Sequence, residues 1–251
     1  MSLTHFSRHF GRQFLHIDAG LVIAKFRNRS REVGFIAAVW FTVQQAIRMI
    51  KLNLHALDDF DARYGTDTGG TVGMWLFRLN SPNAVHGTNY QSIGEVYTES
   101  LLSGCPRTAT FVDLGCGKGR PLIVASKMGF QNVTGVEFVE ELAAIARMNL
   151  RITECNANVV CADAAAYALP SGPLVVYMFN PFHAPVMRVV AEKLRSRKDE
   201  LWVISVNPKH PELFDAWLER QALVPAQQEV FSTNYPGYPV QPIIWHRPAQ
   251  A

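Results

Sequence analysis

Three glycines alternate with other residues directly after an apolar run, in the stretch FVDLGCGKGR at 111–120. Gly115, Gly117 and Gly119 remove side chains from a turn, so the backbone can adopt unusual angles and a ligand can approach it closely. Asp113 lies just ahead of them. If the apolar run is a buried strand of a parallel sheet, the turn lies at the carboxyl edge, where ligands bind. The stretch therefore predicts a cofactor-binding turn, and the N–H groups of the next helix favour an anionic or polar ligand.

The spacing of the glycines separates two classes of cofactor. A dinucleotide site requires G-x-G-x-x-G. Here the third glycine comes one residue early, and Arg120 stands where that pattern needs glycine. The spacing is instead acid-x-G-x-G-x-G, which argues against a nicotinamide-dependent oxidoreductase.

The segments around this turn alternate between predicted strand and predicted helix five times. Because the predicted strands are short and apolar without clean alternation, we expect both of their faces to be buried in a parallel sheet. Residues 211–221 predict the last helix, and 225–233 with 239–247 predict a C-terminal hairpin that inserts one antiparallel strand. The predicted fold is α/β, with a doubly wound, mostly parallel seven-stranded sheet. Its five parallel strands are predicted at 109–115, 132–138, 157–163, 173–182 and 200–208.

Polar or acidic residues follow the next three predicted strands in order, at Glu137, Asp163 and Asn180. Together with the glycine turn they resemble the motifs of the class I (seven-strand) S-adenosylmethionine-dependent methyltransferases, over about residues 86–247. Within that range VDLGCGKGR, GVEF and FNPF are similar to bacterial members without assigned substrates. There is a looser likeness to seven-strand protein-lysine methyltransferases, which share a tyrosine upstream of the turn, here Tyr90.

This resemblance implies S-adenosylmethionine as the cofactor, without a metal. Glu137 would accept both ribose hydroxyls, Phe138 would lie against the adenine ring, and Asp163 would accept the adenine amino group. Asp67, in the D-T-x-G loop at Thr66–Gly70, would meet the cofactor's amino group. The other cofactor-binding candidates belong to the first strand and its turn: Asp113, Gly115, Cys116, Gly117 and Gly119.

The resemblance places FNPF, at 179–182, beside the transferred methyl group. The side-chain carbonyl of Asn180 could accept a hydrogen bond from an attacking amine, and Phe182 could stack on the substrate or the cofactor. Tyr90 could orient either one, and His183 and His86 are candidate general bases. The motif is similar to the N/D-P-P-Y/F motif of amino-group methyltransferases but lacks one proline, so adenine or glutamine is not the expected acceptor.

A Pro/Gly-containing loop at 232–242 carries Tyr235 and Tyr238. A parallel strand entering this loop would bring it to the same edge of the sheet as the glycine turn. We therefore expect the two tyrosines to wall the substrate pocket; an exposed turn is the alternative. The loops at 61–70 and 83–93 are polar and predicted to be irregular.

The sequence thus predicts S-adenosylmethionine-dependent methyl transfer to a nitrogen or oxygen nucleophile, with a small molecule as the acceptor. Two alternatives stay open at this point. One is a protein-lysine methyltransferase, and the other is a cofactor-binding scaffold without catalysis.

The first part of the chain differs in composition from the rest. Residues 1–62 are predicted as a helical N-terminal extension and residues 63–251 as the methyltransferase domain. The apolar run 35–50 predicts a helix packed on the main body, with a dimer contact or an interfacial membrane helix as alternatives. The basic residues between Arg8 and Arg31 predict a solvated arm.

Bulk composition restricts the remaining partners. The formal charge of +3 is too small to indicate a nucleic-acid partner. The four cysteines lie at 105, 116, 155 and 161, and no two of them have the short spacing of a metal site. They are typical of small apolar fillers in a reducing compartment, so we expect a cytoplasmic protein.

Overall fold

The computed structural model describes residues 59–72, 83, 87, 88, 90–232 and 240–250, together with single positions and short runs between 23 and 44. In chain order the elements are α1 (Phe60–Tyr64), β1 (Thr71–Val72), β2 (Tyr90–Gln91), α2 (Glu95–Leu102), β3 (Thr110–Leu114), α3 (Arg120–Lys127), β4 (Val133–Glu137), α4 (Glu140–Ile152), β5 (Asn158–Cys161), β6 (Leu174–Phe179), α5 (Ala184–Arg195), β7 (Leu201–Val206), α6 (Glu212–Asp215), β8 (Glu219–Gln221), α7 (Pro225–Ser232) and β9 (Pro242–Arg247).

Seven of the strands form one sheet, in the order β5-β4-β3-β6-β7-β9-β8. Strands β3 to β7 pair in parallel, whereas β9 runs antiparallel between β7 and β8. The chain steps outward from β3 to β5 and then returns to the other side of β3 as β6. In an open parallel sheet the ligand crevice lies at such a reversal. The predicted mostly parallel seven-stranded sheet with a C-terminal antiparallel pair is confirmed.

Both faces of the sheet are covered, which is why the central strands carry apolar side chains in succession. Phe111 and Tyr177 belong to the core on one face, and Val112 and Val176 belong to the core on the other. All four side chains are fully buried. Because neighbours along a strand point to opposite faces, burial of both faces requires an unbroken apolar run.

The C-terminal elements differ from the expectation. The segment 211–221, predicted as a helix, keeps only α6 and then turns into the edge strand β8; the segment 225–233, predicted as a strand, forms the helix α7. Pro225 suits a helix start, and Gln227 accepts the N–H of Val224 at 2.9 Å while donating to the Ser100 carbonyl at 2.8 Å. The loop after α7 is therefore entered from a helix, although Pro242 pairs with Val206 at the carboxyl end of β7.

The two upstream loops are also more ordered than expected. Residues 60–64 form α1, and Tyr90–Gln91 pairs antiparallel with Thr71–Val72. Helix α1 runs across the predicted boundary at residue 62, and the division into two domains stays a prediction.

Several apolar side chains of the N-terminal segment are exposed. The described positions 35–37, 39, 40, 43 and 44 are helical, and Phe35, Ile36 and Trp40 are each more than half exposed. The predicted packing on the main body is not seen at these positions, and a dimer or membrane contact stays a prediction. No helix among the described residues is long and apolar enough to cross a membrane.

Gly135 allows the turn after β3 to pack on β4, and its replacement tests that packing. A Cβ at Gly135 would come within 2.6 Å of both the Cys116 sulfur and Leu122 Cδ1. We expect Gly135→Ala to lower the free energy of unfolding by roughly 1–3 kcal/mol, because extra volume in a packed core forces strain. Urea denaturation measures this.

Gly104→Ala is the matched control, since nothing lies within 4 Å of a Cβ built at Gly104. Equal stability of the two variants would contradict the packing described for Gly135.

Candidate functional site

The glycine turn needs glycine for two separate reasons. Gly115, Gly117 and Gly119 all have positive φ angles, of 84°, 52° and 84°, which residues with a side chain rarely adopt. A Cβ at Gly115 would also lie 2.7 Å from Cβ of Pro181, and one at Gly117 would overlap the ring of Tyr90. The turn is therefore enclosed by the segment after β6 on one side and by Tyr90 on another.

Glu137 ends β4 beside this turn and is held by backbone donors. Its carboxylate accepts the N–H of Gly117 at 2.9 Å and the N–H of Val139 at 3.0 Å. Burial raises the pKa of Glu137 to about 6. A carboxylate has about four acceptor positions, so Glu137 can accept further hydrogen bonds from hydroxyl groups of a ligand.

A pocket lies between the ends of β3, β4 and β6. It contains about 390 Å³ of space, part of it open to solvent. Its walls are mainly apolar or uncharged, and Glu137 supplies a carboxylate at one side. The lining residues are Thr88, Tyr90, Gln91, Gly115, Glu137, Phe138, Leu142, Phe179, Pro181 and Phe182.

A short segment crosses the pocket, and we call its described residues Gly87, Thr88, Tyr90 and Gln91 the strap. Thr88 donates from its hydroxyl to the Asn180 carbonyl and from its N–H to the carbonyl of the next residue. Tyr90 donates its hydroxyl to the Thr68 carbonyl at 2.6 Å. The strap thus joins the segment after β6 to the loop that precedes β1.

That loop is fixed to the glycine turn by a buried ion pair. Lys118 Nζ lies 2.8 Å from Asp67 Oδ1, and the two side chains are only 2% and 4% exposed. Asn149 of α4 joins both partners, since its side-chain amide accepts the N–H of Asp67 and donates to the carbonyls of Asp67 and Lys118, each at 2.9 Å.

A second buried cation extends this cluster. Arg120 donates Nε–H to the Thr68 hydroxyl at 2.7 Å, and its guanidinium lies 3.6 Å from Asp61. The Asp61 carboxylate also accepts the hydroxyls of Thr66 and Thr68 and the N–H of Gly69. These contacts, and Arg120 above all, keep the pKa of Asp61 low despite the opposing effect of burial.

Five of the predicted site residues come together in the pocket: Gly115, Glu137, Phe138, Tyr90 and Phe182. Asp113, Cys116, Gly117 and Gly119 are buried around the turn. Burial and the nearby Glu137 raise the pKa of Asp113 well above its usual range. The roles given to these residues in cofactor binding stay predictions.

Other predicted residues have different surroundings. Asp67 is paired with Lys118, and Asp163 accepts the N–H of Ala165 and the side-chain amide of Asn83, each at 2.8 Å. Asn180 is half-buried at the end of β6, and His183 is exposed at the residue before α5. The residues His86, Tyr235 and Tyr238 lie outside the described part of the chain.

Sequence reasoning missed Lys118, Arg120, Asn149, Asp61 and Thr88. A lysine and an arginine in a glycine-rich turn suggest exposure or a phosphate ligand, yet both are buried and paired. The charge balance carried a signal, because two acids in the loop before β1 match two bases in the turn.

The comparisons with known proteins agree on the type of domain. Residues 111–198 match a family model described as a methyltransferase domain. No curated protein matches the chain. The chain is similar to the crystal structure of the plantazolicin methyltransferase BpumL in complex with a triazolic desmethylPZN analog and S-adenosylhomocysteine, with 14% identity, 62% of this chain and 83% of that chain covered, and a TM-score of 0.44.

Two further solved structures are similar at the same level. One is a ribosomal protein L11 methylase from Lactobacillus delbrueckii subsp. bulgaricus, with 14% identity, 62% and 78% of the two chains covered, and a TM-score of 0.41. The other is a predicted N6-adenine-specific DNA methylase from Listeria monocytogenes, with 12% identity, 62% and 51% covered, and a TM-score of 0.47.

The segment matched by the family model runs from β3 through α5 and contains the glycine turn, Glu137 and Asn180. The chain therefore carries a methyltransferase domain of class I. The protein is an S-adenosylmethionine-dependent methyltransferase, and the residues around its pocket fit that cofactor: an open glycine turn beside a carboxylate able to accept hydroxyl groups.

The buried ion pair generates a test of stability. Lys118→Met removes the cation and leaves Asp67 buried without it, so we expect a loss of roughly 3–5 kcal/mol in the free energy of unfolding. The double variant Lys118→Met/Asp67→Leu should lose less, because no charge is left unpaired. Urea denaturation compares them.

Arg147→Met is the control for this comparison, since its pair with Glu140 is largely exposed and should contribute at most about 1 kcal/mol. A Lys118→Met variant as stable as Arg147→Met would contradict the role given to the buried pair.

Glu137 generates a test by pH. Its pKa of about 6 means that the carboxylate loses its charge as the pH falls through 6. If the charged form accepts the ribose hydroxyls, affinity for S-adenosylhomocysteine should be about tenfold weaker at pH 5 than at pH 7.5. Calorimetry at both values measures this, with circular dichroism to verify folding.

Glu137→Gln should bind more weakly at pH 7.5 and show a nearly flat pH dependence. The same pH dependence in this variant and in the unaltered protein would place the titrating group elsewhere.

Proposed function

We propose that this protein transfers the methyl group of S-adenosylmethionine to a nitrogen or oxygen nucleophile of a small molecule. One observation carries the proposal: a single pocket joins Glu137 and Phe138, at the end of β4, to Phe179, Pro181 and Phe182, at the end of β6. The β4 side suits the nucleoside part of the cofactor. The β6 side, with its aromatic rings, suits an acceptor held against the methyl group.

The enclosure of the pocket supports a small acceptor. The strap passes over the pocket and is bonded on both sides, to the segment after β6 and to the loop before β1. A volume of about 390 Å³ lies within the range for small-molecule sites.

When bound, the cofactor supplies an electrophilic methyl group on a sulfonium, with a neutral thioether as the leaving group. The residues of the chain must then align the nucleophile with the methyl group and exclude water. In this proposal the Asn180 side chain accepts a hydrogen bond from the attacking group, and Phe182 packs against the acceptor.

Tyr90 has a different task in this proposal from orienting the sulfonium through its hydroxyl. That hydroxyl is bonded to the Thr68 carbonyl, and burial raises its pKa well above the usual range, so it stays neutral. Its ring, which lies against Gly117, closes the turn side of the pocket. Among the described lining residues Glu137 and Tyr90 are the ionisable ones, so the proton of the acceptor passes to solvent.

A methyl-acceptor screen tests the function. The protein is incubated with S-adenosylmethionine labelled in the methyl group and with a cell extract separated into small-molecule and protein fractions. The proposal predicts label in the small-molecule fraction. Label on lysine side chains in the protein fraction would favour the protein-lysine alternative, and binding of the cofactor without any transfer would favour a scaffold.

A cytoplasmic location is part of the same proposal. It is supported by the four cysteines, which all lie among the described residues and are free thiols.

Asn180 provides the sharpest kinetic test. Asn180→Gly removes the amide but tolerates the left-handed backbone at φ 40°. We expect affinity for S-adenosylmethionine within about threefold of the unaltered protein. Methyl transfer to the acceptor found in the screen should fall about tenfold or more, which is about 1.4 kcal/mol of barrier, because the lost hydrogen bond acts mainly in the transition state.

Asn207→Gly is the matched control. Asn207 follows the adjacent strand β7 and is also left-handed, with φ 50°. Equal rates in the two glycine variants would show that the Asn180 amide takes no part in transfer.

A further inference from the structure

Thr88 is bonded to both residues of the turn that follows β6. Its hydroxyl donates to the carbonyl of Asn180 at 2.6 Å, and its N–H donates to the carbonyl of Pro181 at 2.9 Å. The neighbouring Gly87 forms a β-bridge with Phe182. Three consecutive residues of the turn are therefore attached to the strap.

The turn needs such support from outside. Asn180 has a φ of 40°, in the left-handed region that is unfavourable for a residue with a side chain. Pro181 has no N–H, so it supplies no backbone donor of its own. Two hydrogen bonds to successive carbonyls fix the orientation of the peptide groups on both sides of Pro181.

The other end of the strap is attached to the glycine turn. Tyr90 lies against Gly117 and donates to the Thr68 carbonyl, and β2 pairs with β1. A segment of a few residues therefore spans from the end of β6 to the end of β3.

We propose that Thr88 is a positioning residue for methyl transfer. Its hydroxyl holds Asn180 in the left-handed conformation, and this keeps the Asn180 amide where the acceptor meets the methyl group. The inference rests on the function proposed for Asn180. Thr88 itself exchanges no proton or methyl group.

Three variants separate the hydroxyl from the rest of the side chain. Thr88→Val keeps the branched shape and the backbone N–H but removes the hydroxyl. Thr88→Ser keeps the hydroxyl. Thr153→Val is the matched control, because the Thr153 hydroxyl likewise donates to a backbone carbonyl, that of Asn149 at 2.8 Å, within the α4 region and away from the pocket.

The first readout needs no acceptor. In protein labelled with ¹⁵N-asparagine, the Asn180 backbone and side-chain signals are identified by their absence from Asn180→Gly. We expect both signals to shift in Thr88→Val and to stay in place in Thr88→Ser and Thr153→Val. Unchanged Asn180 signals in Thr88→Val would overturn the inference, whatever the activity.

The second readout uses the acceptor from the screen. We expect Thr88→Val to lose about tenfold in the rate of transfer while its affinity for S-adenosylhomocysteine stays within about threefold. Thr88→Ser should recover most of the rate. A Thr88→Val rate equal to that of Thr153→Val would also overturn the inference.

Failure of the proposed function has a different signature. It would appear as absence of transfer by the unaltered protein to any acceptor, whereas failure of the Thr88 inference would appear in the comparison of variants.

Discussion

Two positive charges buried in the glycine turn, on Lys118 and Arg120, determine how the segments around it must be arranged. A charge removed from water is costly unless it is paired and hydrogen-bonded. Asp67 and Asp61 supply that pairing from the loop before β1, and Asn149 of α4 bonds to both sides of the junction. The shape of the turn is thus maintained by contacts on its protein side, which leaves its other side available to a ligand.

The same pairing affects the choice of cofactor. A nicotinamide dinucleotide carries phosphates, which favour free basic groups, yet both bases of this turn are neutralised by acids. The charged group that lines the pocket among the described residues is the carboxylate of Glu137. A negative group in a buried site favours a cationic ligand over an anionic one. The electrostatics therefore agree with a sulfonium cofactor, as the glycine spacing does.

The parallel sheet and its ligand edge could be predicted because buried strands and glycine turns leave local signals. Glu137 and Phe138 could be placed in the pocket for the same reason, since each follows a predicted strand. The edge strand β8 could not be predicted, because Glu219, Arg220 and Gln221 form a strand only through pairing with β9. The strap was missed because its order depends on contacts with residues about 20 and 90 positions away in sequence, such as those of Tyr90 with Thr68 and Thr88 with Asn180.

The central claim is that the glycine turn and Glu137 are already arranged for the cofactor before it binds. A crystal structure with S-adenosylhomocysteine tests this most directly. We predict that the backbone of residues 115–119 and the Lys118–Asp67 pair stay as described, with both ribose hydroxyls within hydrogen-bonding distance of the Glu137 carboxylate. A bound structure in which the turn has rearranged, or in which the ribose contacts a different residue, would contradict it.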